Sequence, residues 1–127
     1  MTDRLVLLLG AVGLVPIALS YGLMPQTTVT WLFGFPVEGT NQTHIFRAIM
    51  GLYLANAAFW LFAVFRPGLR RTGLWIMVLF MVGLAAGRVL SIVVDGMPGI
   101  VLWAYLGAEV IFALLAINCL KQTEKPS

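Results

Sequence analysis

The sequence predicts an all-α fold: a four-helix transmembrane bundle with both termini in the cytoplasm. Three observations carry that expectation. First, 61% of the 127 residues are hydrophobic and only 10% are charged, whereas a soluble domain is about 45–50% apolar and about a quarter charged. Second, the apolar residues gather in four runs, each close to the ~20 residues a helix needs to cross a hydrocarbon core. Third, the basic residues collect at the ends of those runs, as orientation by cytoplasmic positive charge requires. The net charge of +3 is therefore a topological signal, and no nucleic-acid partner is expected.

The first span covers about residues 4–24 and contains Gly10, Gly13 and Pro16. Its length and its lack of a small-residue cleavage pattern mark a retained span and not a removed signal peptide. The connection from Pro25 to His44 is long. Its centre, Trp31-Leu-Phe-Gly-Phe35, is too short to span, and aromatic residues favour the membrane boundary, so this piece is expected along the surface. Asn41-Gln42-Thr43 matches a glycosylation acceptor, but short matches arise readily by chance and helix capping is the preferred reading. The second span covers about 43–65. The turn "RPGLRR", Arg66 to Arg71, is short and basic. The third span, about 72–94, carries small residues at Gly73, Gly83, Ala86 and Gly87, which let helices approach within one bundle. "DGMPG", Asp95 to Gly99, is a tight turn, and the fourth span covers about 99–120. Residues 1–127 thus form one domain, without internal repeats. The lone Cys119 cannot close an internal disulfide.

Arg4, Arg66, Arg70, Arg71, Lys121 and Lys125 fall at one end of the bundle, and the other end carries Glu38 and Asp95 in its connections. The positive-inside rule places both termini and "RPGLRR" in the cytoplasm.

Three ionisable residues lie inside the spans. Arg47 is about one turn into the second, Arg88 about two turns or ~10 Å before Asp95, and Glu109 ~15 Å into the fourth. A charge at such depth is costly, so these residues are expected to face the bundle interior and find partners. Arg88, Ser91 and Asp95 follow at spacings of three and four on one helix face. The tight turn makes the third and fourth spans antiparallel neighbours, which brings Glu109 within one or two turns of Arg88 in depth, a difference an arginine side chain can bridge; Glu109 or Asp95 is the expected partner of Arg88. His44 precedes Arg47 by three residues, and Tyr53 and Asn56 continue down the inner side, where Asn56 is expected to bond across helices. The predicted cluster is Arg47, Arg88, Asp95, Glu109, His44, Tyr53, Asn56 and Ser91. One histidine and one distant thiol do not make a metal site, and neither a metal nor a cofactor is expected.

No nucleophile elbow, phosphate-binding glycine loop or paired histidine motif is present. The leading expectation is a non-enzymatic protein whose outer-half polar site binds a lipid or small anionic amphiphile, or docks a membrane-protein partner. The alternatives are an intramembrane enzyme on a lipid-like substrate, with Glu109 or His44 as acid/base, and a structural subunit whose charges serve packing. A transport path would require this small chain to oligomerise.

The runs "GTNQTHIFRAIMGLYLANAAFW" (Gly39 to Trp60) and "FMVGLAAGRVLSIVVDGMPG" (Phe80 to Gly99), followed by "YLGAE", resemble the domain-of-unknown-function 4345 family, small bacterial four-helix membrane proteins. The resemblance covers nearly the whole chain. It implies a family arginine at Arg47, an arginine and aspartate at Arg88 and Asp95, and a glutamate at Glu109. It implies a bacterial cytoplasmic-membrane location and an architecture, but no reaction.

Overall fold

A computed structural model describes residues 2–124; Lys125, read above as a cytoplasmic marker, lies outside the described residues. Five α-helices follow in order: α1 (Asp3–Gly22), α2 (Pro25–Phe33), α3 (Gly39–Val64), α4 (Arg70–Asp95) and α5 (Ile100–Glu124), with a 3-10 turn at Pro67–Leu69 before α4. Among the described residues there is no strand. Helices α1, α3, α4 and α5 are each long and apolar enough to cross a membrane.

Thr2 caps α1 by accepting the Leu5 N–H on its Oγ1 at 3.3 Å, and Asp3 in the first turn complements the helix dipole. Pro16 lies within α1 and faces outward, a placement that membrane helices tolerate. Helix α2 opens on Pro25, whose fixed φ suits a first helical position. The Thr28 hydroxyl donates to the Ser20 carbonyl at 2.5 Å and ties α2 to the end of α1. Pro25 and Val29 are buried beneath α2, whereas Trp31 is 82% exposed. Gly34, at φ 79°, ends the helix in the left-handed region that favours glycine. The expected surface piece, Trp31 to Phe35, is thus the last turn and exit of a nine-residue helix.

Helix α3 begins at Gly39, four residues before the sequence-based boundary, and α5 runs to Glu124, four residues past it. Hydropathy marks the hydrocarbon-crossing part of a helix, and polar turns continue the same backbone beyond it. At the start of α3, the Gln42 side chain accepts the Glu38 N–H at 2.8 Å, so part of the Asn41-Gln42-Thr43 match does serve the helix start.

Helices α1 and α3 form one closely packed pair and α4 and α5 the other. Contacts of α1 with α4 and α5, and of α3 with α4, join the pairs, and α1 is the most enclosed span. Rings such as Tyr21 and Tyr105 bridge the pairs away from the basic end, whereas the fully buried apolar contacts between the pairs lie toward it. There Trp60, Leu7, Leu74 and Met77 are fully buried. A Cβ on Gly10 would stand 2.4 Å from Met77 Cε, and one on Gly73 would stand 3.2 Å from Ala63 Cβ. Toward the other end the pairs part, and every buried residue of α4 lies between Gly73 and Met81. The row of small residues on α4 therefore does not act as one packing stripe. Gly73 packs, whereas Gly83 and Gly87 have no neighbouring atom within 4 Å of a built Cβ and border a cavity. Ala86 lies on an outward apolar groove between α4 and α5.

Candidate functional site

Two cavities lie between the helix pairs, the larger toward the end away from the basic residues and the smaller near mid-bundle. The larger, about 470 Å³, runs between α1, α3, α4 and α5. Gly83, Gly87, Arg88 and Ser91 form its α4 wall, Tyr21 and Tyr53 lie opposite, and Ile49, Leu52, Leu102 and Leu106 supply apolar surface. The smaller, about 110 Å³, lies between α1, α4 and α5 and is bordered by Gly10, Gly13, Tyr105 and Glu109. Tyr53, Leu84 and Arg88 line both, so these side chains form the partition between them.

Arg88 and Glu109 meet directly. The Arg88 Nε–H donates to both carboxylate oxygens, to Oε1 at 2.8 Å and Oε2 at 3.0 Å. Glu109 is buried, at 6% exposure, and is the one buried acidic or basic residue among the described residues. The pair exists because α4 and α5 are antiparallel across a short turn, which sets position 88 level with position 109. The Arg88 guanidinium also lies 5.7 Å from the Tyr105 ring centroid, within cation–π range, and interacts with the Tyr21 hydroxyl.

Arginine carries five N–H donors in a fixed fork. Glu109 takes the one on Nε and the Tyr21 hydroxyl meets the guanidinium as well, so donors on the terminal nitrogens remain for a further acceptor. In chemical terms the arrangement can hold a hydrogen-bond acceptor against a fixed, charge-paired guanidinium, with apolar walls around it.

The remaining predicted residues are not all gathered here. Tyr53 is buried at the partition, edge-on to Tyr21 at 5.7 Å between ring centroids. Ser91 lines the larger cavity, and its hydroxyl donates to Asp95 Oδ2 at 2.8 Å. Asp95 is exposed and takes this bond from Ser91, not from Arg88. Arg47 is exposed and lines neither cavity; its Nη1 donates to the Gly22 carbonyl at 3.1 Å, covering the C-terminus of α1. His44 is exposed and also lines neither cavity. Asn56 does not bond across helices: its Nδ2 donates back to the Leu52 carbonyl of its own helix at 2.9 Å. A membrane helix offers a polar side chain its own carbonyl four residues earlier, and that local partner wins over a distant one. Among the described residues no three potential metal-ligating side chains converge.

Sequence reasoning missed Tyr21, Tyr105, Gly83 and Gly87. The tyrosines left a usable signal. The chain has three, Tyr21, Tyr53 and Tyr105, and all three surround Arg88, with Tyr21 and Tyr105 centroids 6.5 Å apart. A polar-tipped aromatic inside a span needs a partner for its hydroxyl.

Four spanning-length helices around an internal polar site define a multi-pass helical membrane protein. The family model described as "Domain of unknown function (DUF4345)" matches residues 2–120, and the chain belongs to that family. No curated protein and no solved structure gives a significant match.

Proposed function

We propose that the protein is a non-enzymatic membrane protein of the bacterial cytoplasmic membrane that binds a small amphiphile in its larger cavity. Both termini and the Arg66–Arg71 turn face the cytoplasm in this reading, which puts the cavity in the outer half of the bilayer. The polar end of the ligand sits at Arg88, with Tyr21, Tyr53 and Ser91 around it. Its apolar part lies against Ile49, Leu52, Leu102 and Leu106.

The observation that carries this reading is the cavity of about 470 Å³ that reaches Arg88. A pair serving only to fix helix register would be sealed by packing. Here Gly83 and Gly87 keep space open beside the arginine, and the volume falls within the ~300–1,000 Å³ of small-molecule sites. Glu109 orients the arginine from the far side. Arg47, held on the Gly22 carbonyl, serves the end of α1 in this reading and not the ligand.

Native mass spectrometry of gently purified protein tests the proposal. Wild type is expected to carry an amphiphile that Gly87→Leu loses, because the new side chain fills the cavity. Arg47→Ala is expected to retain it, and Arg88→Ala to lose it. A ligand that survives Gly87→Leu, or a wild type that carries none, sinks the assignment.

A further inference from the structure

Resting on that amphiphile reading, we infer that the ligand's polar end is uncharged, a hydroxyl or carbonyl group, and not the anion that an intramembrane arginine first suggests. The reason is the charge already in place. Among the described residues Arg88 is the one Asp, Glu, His, Lys or Arg side chain lining the larger cavity, and its charge is matched by Glu109 through two contacts of 2.8 and 3.0 Å. An anionic headgroup at Arg88 would make the trio net negative inside an apolar surround, where an uncompensated charge is expensive.

The other charges nearby do not offset it. Asp95, at the rim beside Ser91, adds a further negative charge. Arg47 is engaged with the Gly22 carbonyl and lines neither cavity, and exposed His44 does not either. Among the described residues no second cationic side chain lines the space from α1, α3 or α5.

What the cavity does offer is neutral hydrogen-bonding chemistry. The terminal nitrogens of Arg88 keep donors beyond the one that meets Tyr21, the Tyr53 hydroxyl both donates and accepts, the Tyr21 hydroxyl keeps its own proton to donate, and the Ser91 hydroxyl, whose proton goes to Asp95, accepts. A single hydroxyl or carbonyl oxygen meets those groups without bringing a charge, and a hydrocarbon chain meets the leucine and isoleucine walls. Glu109 thereby becomes a specificity determinant. By cancelling the arginine it selects against anionic lipids, which a lone guanidinium would capture.

The test uses full-length protein in neutral-detergent micelles and three hexadecyl probes with a mid-chain diazirine, differing only in headgroup: alcohol, methyl ketone or monophosphate. After photolysis, labelling of cavity-lining peptides from α4 and α5 is read by mass spectrometry against lipid-facing peptides. In wild type, the alcohol and ketone probes are expected to label the cavity about tenfold more than the phosphate, given the cost of the added charge. Glu109→Gln is expected to raise phosphate labelling by about the same factor, since the guanidinium is then unmatched. The wild-type comparison stands without any variant, so a poorly folding Glu109→Gln does not decide the matter. Phosphate labelling equal to or above alcohol labelling in wild type overturns the inference while leaving amphiphile binding intact. Labelling by all three probes at the level of the cavity-filled Gly87→Leu protein overturns amphiphile binding itself, and this inference with it.

Discussion

Glu109 is 6% exposed and Arg88 reaches it with a single N–H shared between both carboxylate oxygens. Each charge is costly to bury alone, and together they are tolerable. Removing one is therefore expected to harm the fold more than removing both. Glu109→Leu should lower the unfolding free energy by about 3 kcal/mol, and Arg88→Met combined with Glu109→Leu by less, because no charge is left unpaired. Unfolding in mixed micelles by increasing denaturing detergent measures the difference; equal losses would show that the pair contributes nothing as a pair. The two charges themselves were legible in the sequence, since a charge inside an apolar run demands a partner. Their proximity, within one or two turns, was also legible, because a tight turn limits the register of the helices it joins; that Glu109 and not Asp95 meets Arg88 was not. The partner of Arg47 was not. It is the backbone carbonyl of Gly22, and a backbone acceptor has no letter in the sequence. Asn56 was misjudged for the same reason, its partner being the Leu52 carbonyl.

At the scale of the element, the glycines do two opposite things that composition does not separate. A Cβ on Gly22 would stand 2.3 Å from Met50 Cβ and 3.0 Å from the Phe46 carbonyl oxygen. Gly22→Ala is therefore expected to destabilise by about 1–3 kcal/mol through overpacking of α1 on α3. Gly51 has no atom within 4 Å of its built Cβ and is exposed, so Gly51→Ala should be neutral or stabilise by about 0.5–1 kcal/mol through helix propensity. Thermal unfolding of the two variants in one detergent provides the check, and the same sign for both would defeat the argument. Helix ends show a related limit. Four spans were legible because each needs an unbroken apolar run. The polar turns 39–42 and 121–124 belong to the same helices, yet their residues also suit loops. Helix α2 was legible only as a short aromatic piece, because nine residues give too little periodicity to separate a helix from a surface loop.

For the whole molecule, four spans put both termini on one side, and the charge distribution sets which side. With Arg66, Arg70 and Arg71 at one end and Glu38 and Asp95 at the other, the basic end is expected inside. Single cysteines introduced as Gly34→Cys and Gly96→Cys, in a Cys119→Ser background, should react with an impermeant maleimide in intact spheroplasts. Gly68→Cys should react only after permeabilisation. The reverse pattern would invert the molecule and put the cavity in the inner leaflet's half.

By itself the sequence determined the class of object: a chain that is 61% hydrophobic, divided into four runs with charges at their ends, must satisfy its backbone in helices within lipid. It also determined that position 88 on α4 would stand within one or two turns of position 109 on α5, because helical rise and a short turn leave little freedom. Tertiary structure alone decided that the two helix pairs close at the basic end and part at the other. Nothing local distinguishes Gly73, which packs against Ala63 and Leu7, from Gly83 and Gly87, which face open space. That difference depends on how far α4 stands from α3 at each level, a property of four helices together. The cavity beside Arg88 comes from that divergence, and so does the gathering of Tyr21, Tyr53 and Tyr105, drawn from three separate helices, around one arginine.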